Sequence, residues 1–441
     1  MATVPNNQLI NVATYQEAEL AWMLDKFVAI NISNKKFKDF QNKQANLGDT
    51  ITFELAPQAS ITAGLVVNAF GIAQQRLQNL VCCQSSLGSA AFTEQQFLFN
   101  VQDYMKTFGR SRINALASVI EQNVLSNITG TQTVITPDSP NYGQLVDTTS
   151  GPYRFFGDGR TPINSQQQLA QSVANFEDYG AANYDRCAIL PVTAIPPIAG
   201  TMLNQFVPKR NDELSMDWEL GSFSGFDWYE SNLLPIHFAG TVGKTNTTLT
   251  LLTTNDPTGA YITSLTFSGA TANDSNAVVV GDLFEFNDGV GSLPNMRYLH
   301  FNGVGVSNQA VQCRVTSVSG ADSSGHVTVG IYPALRSQPG LGQTMQNLNH
   351  SLQAGMQVSF VNDHRAGVLM SGNALYLAMP QLPDMQPYPT VTTTDPDSGA
   401  SIRHYWGSGL GNNVRGYIWD QIWGSCLIAE NSMRYCFPLT N

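Results

Sequence analysis

Two carboxylates set among aromatic rings are the nearest approach to a chemical site in this chain. They lie in GSFSGFDWYESNLLP, Gly221 to Pro235, where Phe226, Trp228 and Tyr229 flank Asp227 and Glu230. Acidic groups beside aromatic faces can grip a sugar, and two carboxyls about 5–9.5 Å apart can hydrolyse a glycosidic bond. The same residues could form a substrate lip, or a loop that docks on another copy of the chain. Nothing else in the sequence fixes a second catalytic position.

The other reactive side chains are scattered. His237, His300, His326, His350, His364 and His404 show no metal-ligand spacing and read as turn or surface residues. Cys82, Cys83, Cys187, Cys313, Cys426 and Cys436 form no CxxC pair and no Cys/His pattern, so reduced thiols are expected. There is no GxSxG elbow, HExxH, phosphate loop or GxGxxG opening a helix after a strand. GSGLG, Gly407 to Gly411, reads as a flexible turn. The expectation is a protein that is not an enzyme and takes no cofactor and no metal.

Charge narrows the partners. Only 12% of residues are charged while 42% are hydrophobic, against about 25% charged in ordinary domains. A surface so poor in charge suits a protein covered by neighbours, and equally a secreted β-rich one. The net charge of −11 argues against a nucleic-acid grip, which needs Lys and Arg to displace counterions. The densest basic stretch, NKKFKDFQNK from Asn34 to Lys43, reads as an exposed arm touching a neighbour. The first residues, MATVPNNQLINVATYQ, lack the basic and apolar regions of a signal peptide, and no run nears 18 apolar residues. The chain is expected to be cytosolic where it is made.

The elements that would position these residues follow from periodicity. Leu20, Met23, Leu24, Phe27 and Val28 make one helical stripe. GDTITFELAP, Gly48 to Pro57, alternates as a strand, and the apolar run Gly64 to Phe70 could pair with it as a long hairpin. The strongest element runs from Thr93 to Ile128: Thr93 and Gln96 fit a capping box, apolar residues recur at helical spacing, and Gly130 follows the end. Such a rod spans roughly 50 Å, a structural spine with Gly109 as a weak point. QQQLAQSVANFEDYG predicts a helix, RCAILPVTA a buried strand, and a further helix starts after Pro197. From Pro235 to about Leu335 short alternating strands predict a self-contained β-barrel or sandwich. Val311, Cys313 and Val315 answer Val327, Val329 and Ile331 across SGADSSG. QTMQNLNHSLQAG returns to a helical pattern and GVLMSGNALYLAMPQLP to strands. The fold class is therefore α+β, with a β-module inserted into a mixed domain.

This order resembles the major capsid proteins of tailed phages, whose fold herpesviruses share. More narrowly, it is similar to the coat proteins of short-tailed enterobacterial phages with a telokin-like insertion domain. Lys209, Arg210, Gly221, Gly225, Phe226, Asp227, Leu234 and Pro235 match that family's segment leading into the insertion. GDLFEF (Gly281 to Phe286), VTVGIYPAL and the region from Ser398 to Pro438 are similar as well. The resemblance implies an N-terminal arm over residues 1–42, an extended hairpin over 43–78, and a peripheral domain over 79–164 with the spine helix at 93–128. It further implies an axial domain starting at 165–234, an inserted barrel at 235–335, and a return through 336–441. It implies self-assembly, as hexamers and pentamers, into an icosahedral shell around double-stranded DNA held without sequence-specific binding. A scaffolding protein and a portal protein would be partners, with assembly in the host bacterial cytoplasm and no membrane involved. Lys36, Lys38, Phe53, Phe226, Asp227, Trp228 and Asp256 are the subunit-contact candidates, the aromatics of GSFSGFDWYE being packing or subunit-contact residues in this resemblance. The family's insertion carries a charged loop that reaches a neighbouring capsomer; the matching stretch here, LLTTNDPTGAYITS, has Asp256 as its one charge. A decoration or tail component, or a carbohydrate-active enzyme built on Asp227 and Glu230, are the competing readings.

Overall fold

A computed structural model describes residues 20, 27–35, 50–55, 76–93, 110–137, 139–202, 221–254, 261–289, 293–300, 305–337, 347–395, 400–409 and 414–439. Near the start, the short helix α1 (Val28–Ile32) lies against the spine. Strand β1 (Thr50–Leu55) pairs antiparallel with β2 (Arg76–Val81), placing Ile51 opposite Leu80. Both enter a small core with Cys82, Ala378 and Cys426, which seats the hairpin base on the C-terminal strands. The sequence offered Gly64 to Phe70 as the pairing partner; that run and the hairpin tip lie outside the described residues, and the partner observed is β2.

Strand β3 (Gln84–Thr93) ends at Thr93, which faces Val414. The expected helix start therefore coincides with a strand end, and residues 94–109, including Gly109, lie outside the described residues. The spine helix is observed as α2 (Arg110–Ser126). Ile113, Leu116, Ala117, Ile120 and Val124 are buried along it, one apolar stripe at helical spacing. The helix tightens into a 3-10 turn, Asn127–Thr129, and stops at Gly130 with φ 66. A side chain at that left-handed position would cost about 1–2 kcal/mol.

Short strands follow: β4 (Phe155–Phe156), β5 (Cys187–Pro191), β6 (Ser222–Phe223), β7 (Phe226–Ser231) and β8 (Ile236–His237). Helix α3 (Gln166–Asp178) opens on a full capping box between Ser165 and Gln168 and buries Leu169, Ser172, Val173 and Phe176 on one face. Helix α4 (Ile195–Met202) starts two residues before Pro197. Its prolines fall in the first turn, where a missing N–H breaks no helical bond.

The chain then enters the barrel through a short helix, α5 (Thr241–Thr245). Its strands are β9 (Leu249–Thr254), β10 (Ile262–Ser268) and β11 (Leu283–Phe286), with β12 (Arg297–Leu299) and β13 (Val306–Ala310) as a side ribbon. β14 (Gln312–Val318), β15 (Val327–Leu335) and β16 (Gln357–Phe360) complete a closed barrel in the order β10-β15-β14-β11-β16-β9. Val311, Cys313, Val315, Val327, Val329 and Ile331 all point into its core, as their alternation requires. Two expectations need correction. The barrel does not end at 335, because β16 pairs with both β9 and β11 to close it. Closure removes the free edges that an open sheet would expose. The segment around Asn347 to Gly355 is bridge and turn, where a helix was expected.

The barrel is also not self-contained, since Tyr153, Tyr179 and Ala429 of the mixed body complete its core. After it come β17 (His364–Met370), β18 (Leu375–Ala378), β19 (Thr390–Thr394), β20 (Ser401–Gly409), β21 (Val414–Leu427) and β22 (Ser432–Pro438). The body's sheet runs β4-β22-β17-β5-β7-β6, with β8 pairing β17. Its two faces differ: Ile189, Ala366 and Val368 join the spine-helix core, while Ala188, Leu190 and Leu369 pack with α3 and α4. A second sheet, β18-β21-β20-β19 with β3 on β21, carries the hairpin.

Candidate functional site

The stretch singled out in the sequence is a two-strand hairpin. Ser224 and Gly225 turn at φ 52 and 74, the left-handed pair that a tight hairpin needs. Strand alternation then sorts the side chains. Phe226 and Trp228 are buried, whereas Asp227, Tyr229 and Glu230 are exposed. Phe226 lies edge-on to Phe176 at 6.1 Å, and Trp228 is 6.5 Å from Tyr435. These two aromatics are therefore packed into the core. Arg186 stacks over Phe226 at 5.2 Å while bonding Glu177 at 2.6 Å. Asp227 and Glu230, three residues apart on one strand, face opposite ways. That geometry offers no converging carboxylate pair. Asp227 reaches the rim of a cavity of about 310 Å³ shared with Asp185, Cys187 and Leu375. Burial, then the nearby acids Asp227 and Asp185, push the Cys187 thiol up to about 12, so it is no nucleophile at neutral pH.

Of the remaining contact candidates, Phe53 lies on β1 opposite Gln78, and nothing is described of its side chain. Lys36, Lys38 and Asp256 lie outside the described residues.

What the sequence did not signal is a set of buried polar attachments. The first ties α1 to the spine. Glu121, 1% exposed, accepts from the N–H groups of Ala29 and Ile30 at 2.8 and 2.9 Å. Its carboxyl is raised by burial, against the pull of those two bonds and of Lys35. Lys35, itself lowered by burial to about 8, donates to Asn31 at 3.3 Å.

The second set fastens the barrel. Arg314 on β14 reaches out to the carbonyls of Ser150 and Thr148 at 2.6 and 2.5 Å. Its guanidinium occupies the space at the end of the spine helix, where a Cβ on Gly130 would stand 2.4 Å from it and one on Gly151 2.8 Å. Gln312 exchanges two hydrogen bonds with the backbone of Phe155. Asp178, ending α3, accepts from Ser307 and from the Asn308 N–H at 2.5 and 2.8 Å. Tyr153 and Tyr179 join their hydroxyls at 2.7 Å inside the shared core.

At the root itself the outgoing and returning crossings run side by side, with His237 opposite His364. His237 Nε2 contacts Asp282 at 2.7 Å, and Asp282 also accepts from the N–H groups of Val279 and Gly240. Arg434, fully buried, donates to the carbonyl of Gly281. The expectation that the histidines are surface residues fails for His237, His364 and His404, which are all buried. His404 is stacked on Trp419 at 4.8 Å, and burial lowers it to about 4. One signal was available: Arg434 interrupts an otherwise apolar strand, and a charge there demands a buried partner. The meeting of His237 with His364 had none, because only strand pairing brings them together.

No protein-family profile matches the chain, and no curated protein matches it. Among solved structures, one described as Mycobacterium phage Che8 is 10% identical, covers 93% of this chain and 90% of its own, and superposes with a TM-score of 0.41. One titled "Capsid of Ralstonia phage GP4" is 8% identical, with coverages of 93% and 88% and a TM-score of 0.41. "Cyanophage Pam1 capsid asymmetric unit" is 10% identical, with coverages of 91% and 87% and a TM-score of 0.39. Among the described residues no group of His, Cys, Asp or Glu is placed to hold a metal, and no helix is long and apolar enough to cross a membrane.

Proposed function

We propose that this chain is the major capsid protein of a tailed phage, assembling with copies of itself into an icosahedral shell around double-stranded DNA. The observation that carries the reading is the order of the elements. A docked N-terminal helix, a hairpin, a spine helix, a mixed sheet interrupted by a closed barrel and long closing strands follow one another as in the coat proteins the sequence resembles. In this reading residues 1–42 form the arm and the hairpin on β1 and β2 reaches over a neighbour. The α2 region is the peripheral spine, the mixed sheet is the axial domain, and the barrel is the insertion, extended to about residue 361.

The physics suits weak, repeated contacts. A millimolar pairing is only about 4 kcal/mol, yet a subunit held by several neighbours in a closed shell gains through avidity. Weak contacts also let misplaced subunits leave before closure. Leu77, Tyr184, Phe238 and Val306 stand more than half exposed, and Asp227 and Tyr229 lie on an open face; neighbours would cover such groups. A net charge of −11 lets packed DNA slide past an inner wall without adhering. A scaffolding protein and a portal complete the assembly in this reading.

Electron microscopy and sedimentation of the purified chain test it. Closed polyhedral particles, or rings of five and six subunits, are the expected result. A compact monomer that persists to about 1 mM, with its first 75 residues protected from protease, would overturn it.

A further inference from the structure

We propose that His237 and His364 form an acid-operated release for the barrel: when both are protonated, the paired crossings at its root part and the barrel loosens from the body. This does not rest on the shell reading. It rests on where the two rings sit and on the charges around them.

The rings are 5.5 Å apart at their centroids and are carried by the two strands through which the chain leaves and re-enters the body. Titratable or charged groups reach them from several of the elements packed around them, while the 3-10 turn Asn127–Thr129 brings none. The turn before β11 supplies Asp282, bonded to His237. β22 supplies Arg434, whose Nε and Nη2 have no partner, and beyond it Cys436. The returning crossing supplies Asp363, 3.9 Å from Lys244 of α5 and about a quarter exposed. β14 supplies Arg314, whose charge Arg434 opposes.

Near neutral pH two buried cations, Arg434 and Arg314, already stand against Asp282, with both imidazoles neutral. His364 Nδ1 lies 2.6 Å from the Asn362 carbonyl, which fixes the N–H on Nδ1 and leaves Nε2 bare and without a partner. Protonation of His364 would add a further buried cation beside Arg434 with no carboxylate in contact. Protonation of His237 is partly met by Asp282, but that carboxylate already serves two backbone N–H groups. Burial lowers both histidines from the ordinary imidazole value, and Arg434 adds to the effect, driving His364 well below it. The parted state thus binds more protons than the docked one. The contact is at full strength above about pH 6.5, the free imidazole value, and is lost as pH falls through the depressed docked values.

Hydrogen exchange read by mass spectrometry on the full chain, from pH 7 to about 4, tests the release after correction for intrinsic rates. Peptides over 236–240, 279–283 and 361–366 should exchange at least tenfold faster in acid while peptides from α2 and β15 hold. His364→Gln should move that opening at least one pH unit lower, and His237→Gln should move it in the same direction by less. Root peptides that open only together with α2 and β15, or a wild-type midpoint retained in both variants, would overturn the proposal. Should neither variant fold, the wild-type profile decides by itself.

Discussion

The N-terminal helix and the barrel are both fastened to the body through buried polar groups, but in opposite ways. Helix α1 has one buried carboxylate at its centre, Glu121, that serves two N–H groups, beside its apolar side chains in the spine core and the Asn34 backbone paired with Leu375 and Leu377. The barrel is held at several separate points: Arg314, Gln312, Asp178 and the Asp282 cluster, around a core it shares with the body. An attachment with one buried carboxylate at its centre can be weakened by one local event. A distributed one moves with the body until several of its points give way. Acid acts on both. Glu121 is raised by burial, against the pull of the two α1 N–H groups and of Lys35, and only its ionised form accepts with both oxygens. The histidines are lowered, so the barrel's hold declines as pH falls.

Removing a node from each attachment separates them. Arg314→Ala should cost the most, about 3–5 kcal/mol in global stability by denaturant titration. It strands the carbonyls of Ser150 and Thr148 and empties the space between Gly130 and Gly151. Glu121→Ala should cost about 2–3 kcal/mol, but locally. Protease should cut near residues 27–35 while α2 stays protected, and equal loss of both regions would break the contrast. Glu121→Gln sharpens the comparison: its amide keeps one acceptor but sets an NH2 against the other N–H, so it should cost about 1–2 kcal/mol at pH 7. The pH dependence of α1 docking above 4.5 should flatten, as proteolysis across that range would show. Asp178→Asn, which keeps one acceptor toward Ser307 and Asn308, should cost about 1 kcal/mol because the other nodes remain.

Much of the fold could be read from periodicity. The stripe of α2, the helix of α3, the β14–β15 alternation and the stop at Gly130 each depend on residues close in sequence, whose pattern states which face is apolar. The misplacements share one cause. The barrel's last strand, β16, belongs to a sheet whose other members lie far upstream, so its local pattern could not say which domain it joins. That β2 pairs with β1 was not legible either, since a hairpin's arms are chosen by register and by what lies beneath them. Phe226 and Trp228 were candidates for contact because aromatic residues suit interfaces and cores alike. The parity of β7 and the presence of α3 under it decided for the core.

The sequence by itself determined the class of the molecule: mixed helices and strands, a β-module interrupting them, and no catalytic motif. Hydrophobic period is a property of neighbours along the chain. Only tertiary structure decided which polar groups are removed from water and what they meet there. Glu121 against α1, Arg314 at the end of the spine and His237 beside His364 exist because distant segments pack together, and desolvation acts on a charge only once that packing has closed around it.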